Sequence, residues 1–278
     1  MKHLILMLSA LVAVSAGHAQ VAVHEKSPET KYAFTLASPR QTAAILYDAS
    51  DAAVVKRAAE LFAADVEAVT GRRPQVTSAT RETGPAVIVG TVGGSALIRR
   101  LSEAGKIDTA PLEGAWERYL IQTVANPLPG IRKALVIAGS DRRGAAYGLF
   151  TLSELIGVSP WYWWADVPVK KHAALHVDAP PTYSQTPSVR YRGIFLNDED
   201  WGLTPWASQT FEPERGNIGP RTYAKVCELL LRLKANYLAP AMHPVSTSFN
   251  QIPENKLVAD TFAIVMGSTH CEPLLLNT

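Results

Sequence analysis

Cysteine is almost absent from this chain: Cys227 and Cys271 are the only thiols in 278 residues. Two thiols allow one bridge but cannot staple a disulfide scaffold, and Cys227 falls on the apolar stripe of an expected helix, where a free thiol behaves as a small hydrophobe. No CxxC or HExxH spacing accompanies the seven histidines, so no metal site is expected. Charge of one sign is also lacking. Lys and Arg number 27 against 25 Asp and Glu, a formal +2, too small for the positive field that binding a nucleic-acid backbone requires. No segment reaches about 18 consecutive apolar residues, which argues against an ordinary membrane-spanning helix. The glycines of Thr91-Val92-Gly93-Gly94-Ser95 sit between a strand and a helix, yet GxGxxG and the GxxxxGKS/T loop are both missing, so a nucleotide site is discounted. What remains is 47% hydrophobic and 19% charged, enough apolar surface for a sizeable core and too little charge for a disordered chain. Partners must be recognised locally, in a pocket.

The clearest address is at the start. Lys2 and His3 precede an uncharged run from Leu4 to Ala16, and Gly17-His18-Ala19 supplies small residues where a signal peptidase reads. Residues 1–19 are therefore expected to be a secretory signal peptide, giving a secreted or periplasmic protein with no membrane partner after cleavage.

From residue 20 to 186 the pattern alternates helix and strand, as in a small α/β domain. Ser50 is placed to cap a helix whose apolar positions Val55, Ala58, Ala59, Phe62, Val66 and Val69 recur at helical spacing, with Gly71 and Pro74 ending it. Ala86 to Gly90, Tyr119 to Val124 and Ala134 to Ala138 read as strands. Ser95 to about Ala104 and Arg142 to Ile156 read as helices. Val167 to Ser188 carries Pro168, Pro180, Pro181 and Pro187 and is expected to be a connector. Beyond it the rhythm restarts in residues 187–278: strand Tyr191 to Leu196, helix Arg221 to Ala235, strand Tyr237 to Ala241 and strand Phe262 to Met266. On that helix Tyr223, Val226, Cys227, Leu230 and Leu233 form the inward stripe, leaving Arg221, Lys225, Arg232 and Lys234 outside it. Strand-then-helix units of this kind open a (β/α)8 barrel. About 90 residues follow Ser188, whereas a complete barrel takes about 200 to 250, so the barrel is expected to be incomplete and the chain a fragment.

The cluster Asn197-Asp198-Glu199-Asp200-Trp201 directly follows the strand Arg192 to Leu196. In a parallel barrel, catalytic groups project from the C-terminal ends of strands. Neighbouring carboxylates raise one another's pKa, so one can hold a proton near neutral pH while another stays ionised, the division of labour that glycoside hydrolysis needs. Asp198 and Glu199 are the catalytic candidates. As sequence neighbours they point in different directions, so the second carboxylate of a reacting pair should come from another strand. His243, and His270 with Glu272, follow the next two strands and share the expected edge. Trp161-Tyr162-Trp163-Trp164 offers rings that could stack on sugars or simply pack the two halves together.

Those stretches resemble the N-terminal part of glycoside hydrolase family 115, the xylan α-1,2-glucuronidases. The resemblance is carried by Gly139-Ser140-Asp141-Arg142-Arg143-Gly144-Ala145-Ala146-Tyr147-Gly148, by Gly157 to Val167, by Arg192 to Trp201, and by His270-Cys271-Glu272-Pro273. It implies an inverting hydrolase that removes glucuronic acid, or its 4-O-methyl form, from xylan without a cofactor. It implies a first domain like that preceding the barrel of β-hexosaminidases, then the catalytic barrel. By the same resemblance Asn197, His270, Glu272, Glu154 and Trp163 line the sugar pocket beside Asp198 and Glu199, and Trp201 and His243, which follow the first two strands of this half, are further substrate-binding candidates. The further acidic residues of the family come from later strands, so the chain alone is expected to be inactive. A hexosaminidase-like glycosidase and a non-catalytic carbohydrate-binding protein are the competing readings.

Overall fold

The computed structural model of the chain describes residues 20–78, 84–197, 202–241 and 243–268. The expected signal peptide, Asp198, Glu199, Trp201, His270, Cys271 and Glu272 lie outside them.

In chain order the elements are β1 (Ala22–His24), β2 (Ala33–Ser38), β3 (Gln41–Thr42), β4 (Ala44–Leu46), α1 (Ala53–Thr70), β5 (Val76–Thr77), β6 (Ala86–Thr91), α2 (Ala96–Glu103), β7 (Tyr119–Leu128), β8 (Ile131–Gly139), α3 (Arg142–Leu155), β9 (Leu175–Asp178) and β10 (Thr182–Tyr183). They are followed by β11 (Gly193–Phe195), α4 (Leu203–Trp206), α5 (Pro220–Arg232), β12 (Tyr237–Ala239), α6 (Pro253–Thr261) and β13 (Val265–Met266). The organising unit is a six-stranded mixed sheet in the order β10-β7-β8-β6-β4-β5. Its central strands β6 and β8 pair in parallel and are buried on both faces, which is why they read as unbroken β-branched runs. Alternate residues feed two cores. Val87, Val89, Leu135 and Ile137 meet α1, α3 and the antiparallel sheet β1-β9-β2-β3, while Ile88, Val136 and Ala138 meet Leu97, Ile98 and Leu101 of α2.

Two expectations are corrected here. Val167 to Ser188 is no bare connector, because β9 lies inside the antiparallel sheet and β10 extends the six-stranded one. Its prolines fall outside both strands, so both ladders are kept. Ser50 does not cap α1: its N–H and hydroxyl donate to Asp48, and the helix begins at Ala53 after an uncapped Ala52. The loop Thr91 to Ser95 is already occupied. Asp51 accepts the N–H and hydroxyl of Thr91, Asp48 accepts the N–H of Ala96, and Ser95 caps α2 at Ile98. These groups satisfy the helix start from within the chain.

The second half is a three-stranded parallel sheet, β11-β12-β13, with α5 between the first two strands and α6 between the last two. α5 buries Tyr223, Val226, Cys227 and Leu230 as its spacing predicts, but the stripe is rotated at its end. Leu233 is exposed and Arg232 is buried. The reason is Asp65 on α1, which faces Arg232 across the junction of the two halves.

At Gly193 an added Cβ would lie 1.8 Å from the Tyr237 carbonyl oxygen, so only glycine lets β11 approach β12 this closely. At Gly144 the same atom would lie 2.3 Å from the Arg118 carbonyl oxygen.

Candidate functional site

Parallel strands point their C-terminal ends to one edge, and two of the expected site residues lie there. Asn197 is exposed directly after Leu196, whose N–H donates to the Ala239 carbonyl at 2.9 Å. His243 follows β12 and is half-buried, and its carbonyl accepts the Ser246 N–H at 2.9 Å. Adjacent strands thus deliver both residues to the same edge.

Beside this edge lies a cavity of about 650 Å³ walled by Tyr162, Trp163, Trp164 and Trp206, with Gly202, Leu203 and Asp166 completing it. Its size is that of a small-molecule pocket, roughly 300 to 1,000 Å³. Gly202 is the first described residue after the acidic cluster, so the cavity wall is reached seven residues after Phe195, the end of β11. The four aromatics of residues 161–164 divide their work. Trp161 is exposed and stands outside the cavity. The Tyr162 hydroxyl donates to Glu228 at 2.9 Å and the Trp164 indole N–H donates to the Lys225 carbonyl at 3.2 Å, so these two also fasten the segment to α5. Burial and the adjacent Glu228 carboxylate push the Tyr162 phenol well above its ordinary pKa, which keeps it a neutral donor.

Trp163 meets Trp164 edge-on at 4.8 Å and Phe211 at 5.2 Å. Phe211 in turn stacks flat on Trp206, with centroids 4.9 Å apart and 12° between planes. Trp206 and Phe211 were not anticipated. The chain between them is a π-helical turn from Ala207 to Phe211, and its end is anchored by Glu212, which is buried and accepts the N–H groups of Gly219, Arg221 and Thr222. One carboxylate thereby caps α5 and fixes the aromatic turn beside it.

The cation packed on this wall is neutralised. Lys225 Nζ lies 4.9 Å from the Trp163 ring centroid and 3.1 Å from Glu228. Glu228 also pairs with Arg232 at 2.9 Å, and Arg232 forks onto Asp65 at 2.8 and 2.9 Å. Burial alone would raise the Glu228 carboxyl, but Arg232 and Lys225 outweigh it and hold the carboxyl below its ordinary value.

Glu154 does not join the site. Its carboxylate faces Lys234 at 3.6 Å, and Lys234 precedes β12, so Glu154 stands at the edge opposite Asn197 and His243. That opposite edge carries a second network the sequence did not disclose. Glu117, fully buried, holds Arg143 at 2.5 Å, Asn236 at 2.6 Å and, through its other oxygen, Arg192. Arg143 also donates to the Ala263 carbonyl at 3.0 Å. Arg192, Asn236 and Ala263 precede β11, β12 and β13, so one carboxylate of the first half gathers the starts of all three strands. Much of the Arg142 to Gly148 and Arg192-Gly193 motifs is therefore spent on joining the halves.

Among the described residues no group of three or more His, Cys, Asp or Glu could hold a metal ion, and no helix is long and apolar enough to cross a membrane. The arrangement suits an uncharged or weakly polar ring compound held by aromatic faces beside the edge that carries Asn197 and His243.

Residues 184–278 match the family model described as glycosyl hydrolase family 115. Among solved structures the chain is similar to a family GH115 4-O-methyl-α-glucuronidase, BtGH115A, with specificity for decorated arabinogalactans, at 40% identity and a TM-score of 0.73. That match covers 87% of this chain and 30% of the other, so the chain spans about a third of that relative. The GH20 β-N-acetylhexosaminidase of Streptomyces coelicolor A3(2) matches at 13% identity and a TM-score of 0.47, over 88% of this chain and 44% of its own. A chitobiase of Flavobacterium johnsoniae matches at 13% and 0.45, over 90% and 33%. No curated protein matches the chain.

Proposed function

Because the chain belongs to glycosyl hydrolase family 115, we propose that the whole protein is an exported glycosidase that releases glucuronic acid, or its 4-O-methyl form, from a decorated polysaccharide, with glucuronoxylan the first substrate to test. The observation that carries the reading is the shared edge. Asn197 and His243 follow adjacent parallel strands, Asp198 and Glu199 come next in sequence after Asn197, and Gly202, Leu203 and Trp206, which follow them in the chain, help wall an aromatic cavity.

In this reading β11, β12 and β13 with α5 and α6 are the opening units of a (β/α)8 barrel whose rim carries the chemistry. Residues 1–19 direct export. The reaction is an inverting hydrolysis. One carboxylic acid protonates the glycosidic oxygen as the bond from the uronate anomeric carbon to that oxygen breaks. A carboxylate opposite takes a proton from water as the water oxygen bonds to the same carbon from the other face. Such a pair stands about 6.5 to 9.5 Å apart. Asp198 supplies one member and a residue of another strand the second, because two residues consecutive in sequence do not face each other across a sugar ring. The chain alone binds without turnover.

Incubating the whole protein with glucuronoxylan, and in parallel with a glucuronidated arabinogalactan, tests this. Proton NMR in the first minutes should show free uronic acid appearing as the β anomer from an α-linked substituent. First appearance as the α anomer would overturn inversion. Release of an N-acetylhexosamine from a chitin oligosaccharide, with no uronic acid from either polymer, would favour the hexosaminidase-like alternative. Faster release from arabinogalactan would move the substrate toward that of the solved GH115 relative.

A further inference from the structure

The cavity beside the strand ends is chemically wrong for the uronate itself. Its described wall is aromatic apart from Leu203, Gly202 and the carboxylate of Asp166, and among the described residues no Arg, Lys or His lines it. A uronate placed there would give up water without gaining a counter-ion, and would meet a like charge at Asp166. Lys225, behind Trp163, already serves Glu228 at 3.1 Å, so its charge is not open to a ligand. Arg221 lies over Phe211 at 4.8 Å and pairs with Glu214 at 2.8 Å, so the cation behind the second aromatic layer is engaged as well.

The features that repel an anion suit a neutral sugar. Pyranose rings present faces of C–H groups that pack on indoles, and their hydroxyls donate well to a single carboxylate. The rings are held in place. Trp206 is backed by Phe211 at 4.9 Å, Trp164 by its bond to α5, and Trp163 by Trp164 and Phe211. Rings that are already fixed lose little freedom on binding.

We propose that this cavity is a main-chain subsite, taking uncharged sugar residues of the polysaccharide backbone while the uronate side group lies beyond it toward Asn197 and His243. The proposal rests on the reading of the protein as a glucuronidase and deepens it. It assigns Trp206 and Trp163 to ligand stacking and Asp166 to accepting hydroxyl hydrogen bonds.

The test needs no turnover. Indole N–H resonances of the chain are followed by NMR on titration with linear xylotetraose, and separately with sodium glucuronate. Xylotetraose is expected to shift the Trp163 and Trp206 signals saturably, while glucuronate at equal concentration leaves them in place. Trp206→Ala should weaken xylotetraose binding at least tenfold. If that variant fails to fold, the two titrations of the unaltered chain still decide the matter. Glucuronate shifting those signals as strongly as xylotetraose, or neither sugar shifting them, would overturn the assignment. Saturable xylotetraose binding together with no uronic acid release by the whole protein would sink the activity and leave the subsite standing. Uronic acid release with an unresponsive cavity would sink the subsite alone.

Discussion

Asp65 on α1 and Arg232 on α5, separated by 167 positions in sequence, meet in a buried two-bond fork at 2.8 and 2.9 Å. Both side chains are almost wholly withdrawn from water, so each is viable only because the other is there. With Glu228 and Tyr162 the pair ties the first half, the second half and the aromatic segment to one point.

Removing one partner should therefore cost far more than a surface pair would. Asp65→Ala leaves the Arg232 guanidinium buried against Glu228 alone and is expected to lower unfolding stability by about 3 to 5 kcal/mol. Urea unfolding measures it. Asp65→Leu combined with Arg232→Met should recover most of the loss, since an apolar pair of similar volume replaces both charges. A single-variant loss below about 1 kcal/mol, the scale of an exposed pair, would contradict the account.

Acid should weaken the same junction. The Glu228 carboxyl is held below its ordinary value, burial being outweighed by Arg232 and Lys225. A carboxyl with a lowered folded pKa contributes stability that is fully present above its unfolded pKa, about 4.3, and is lost as pH falls through the folded value. Stability measured from pH 6 downward should drop through this range, and Glu228→Gln should flatten that part of the profile. An identical profile in the variant would show that Glu228 carries none of the effect.

Gly193 should tolerate no side chain. A Cβ placed 1.8 Å from the Tyr237 carbonyl must push β11 away from β12. Gly193→Ala is expected to cost at least about 2 kcal/mol and to speed hydrogen exchange at the Leu196 amide, which bonds the Ala239 carbonyl in the parent chain. Unchanged exchange there would contradict the close approach.

Cys227 is expected to be inert while the chain is folded. Burial pushes its thiol up to about 12, against about 8.5 for a free cysteine, so hardly any thiolate exists at pH 8. In a Cys271→Ser background, Ellman's reagent should find no thiol in the native chain and one after denaturation. Rapid labelling of the native chain would contradict the burial.

The sequence was most legible where one physical cause dominates. The runs at Ala86 and Ala134 became β6 and β8 because apolar residues buried on both faces have no competing reading. The apolar stripe of α5 was visible for the same reason, up to the residue where it failed. Arg232 looked like a solvent-facing residue because nothing local announces that Asp65 waits on another helix. Glu117 was hidden likewise, since its three partners lie 26, 75 and 119 positions away. α6 went unread because Pro253 opens it and its composition is mixed, with Leu257 left exposed. At the site, Asn197 and His243 could be placed by the rule that strands deliver groups at their C-terminal ends. Trp206 and Phe211 could not, because an aromatic pair five residues apart carries no signal until the π-helical turn brings it together. Glu154 was misplaced because a helix end gives no hint of which edge of a distant sheet it will meet.

The most direct test of the central proposal is the rate at which the whole protein frees 4-O-methylglucuronic acid from glucuronoxylan, with Asp198 intact and with Asp198→Ala. The account expects kcat to fall at least about a hundredfold, the scale of a lost acid or base, while xylotetraose still binds at the tryptophans. A variant that turns over at the parent rate would remove Asp198 from the mechanism, and with it the claim that the loop after β11 carries the chemistry.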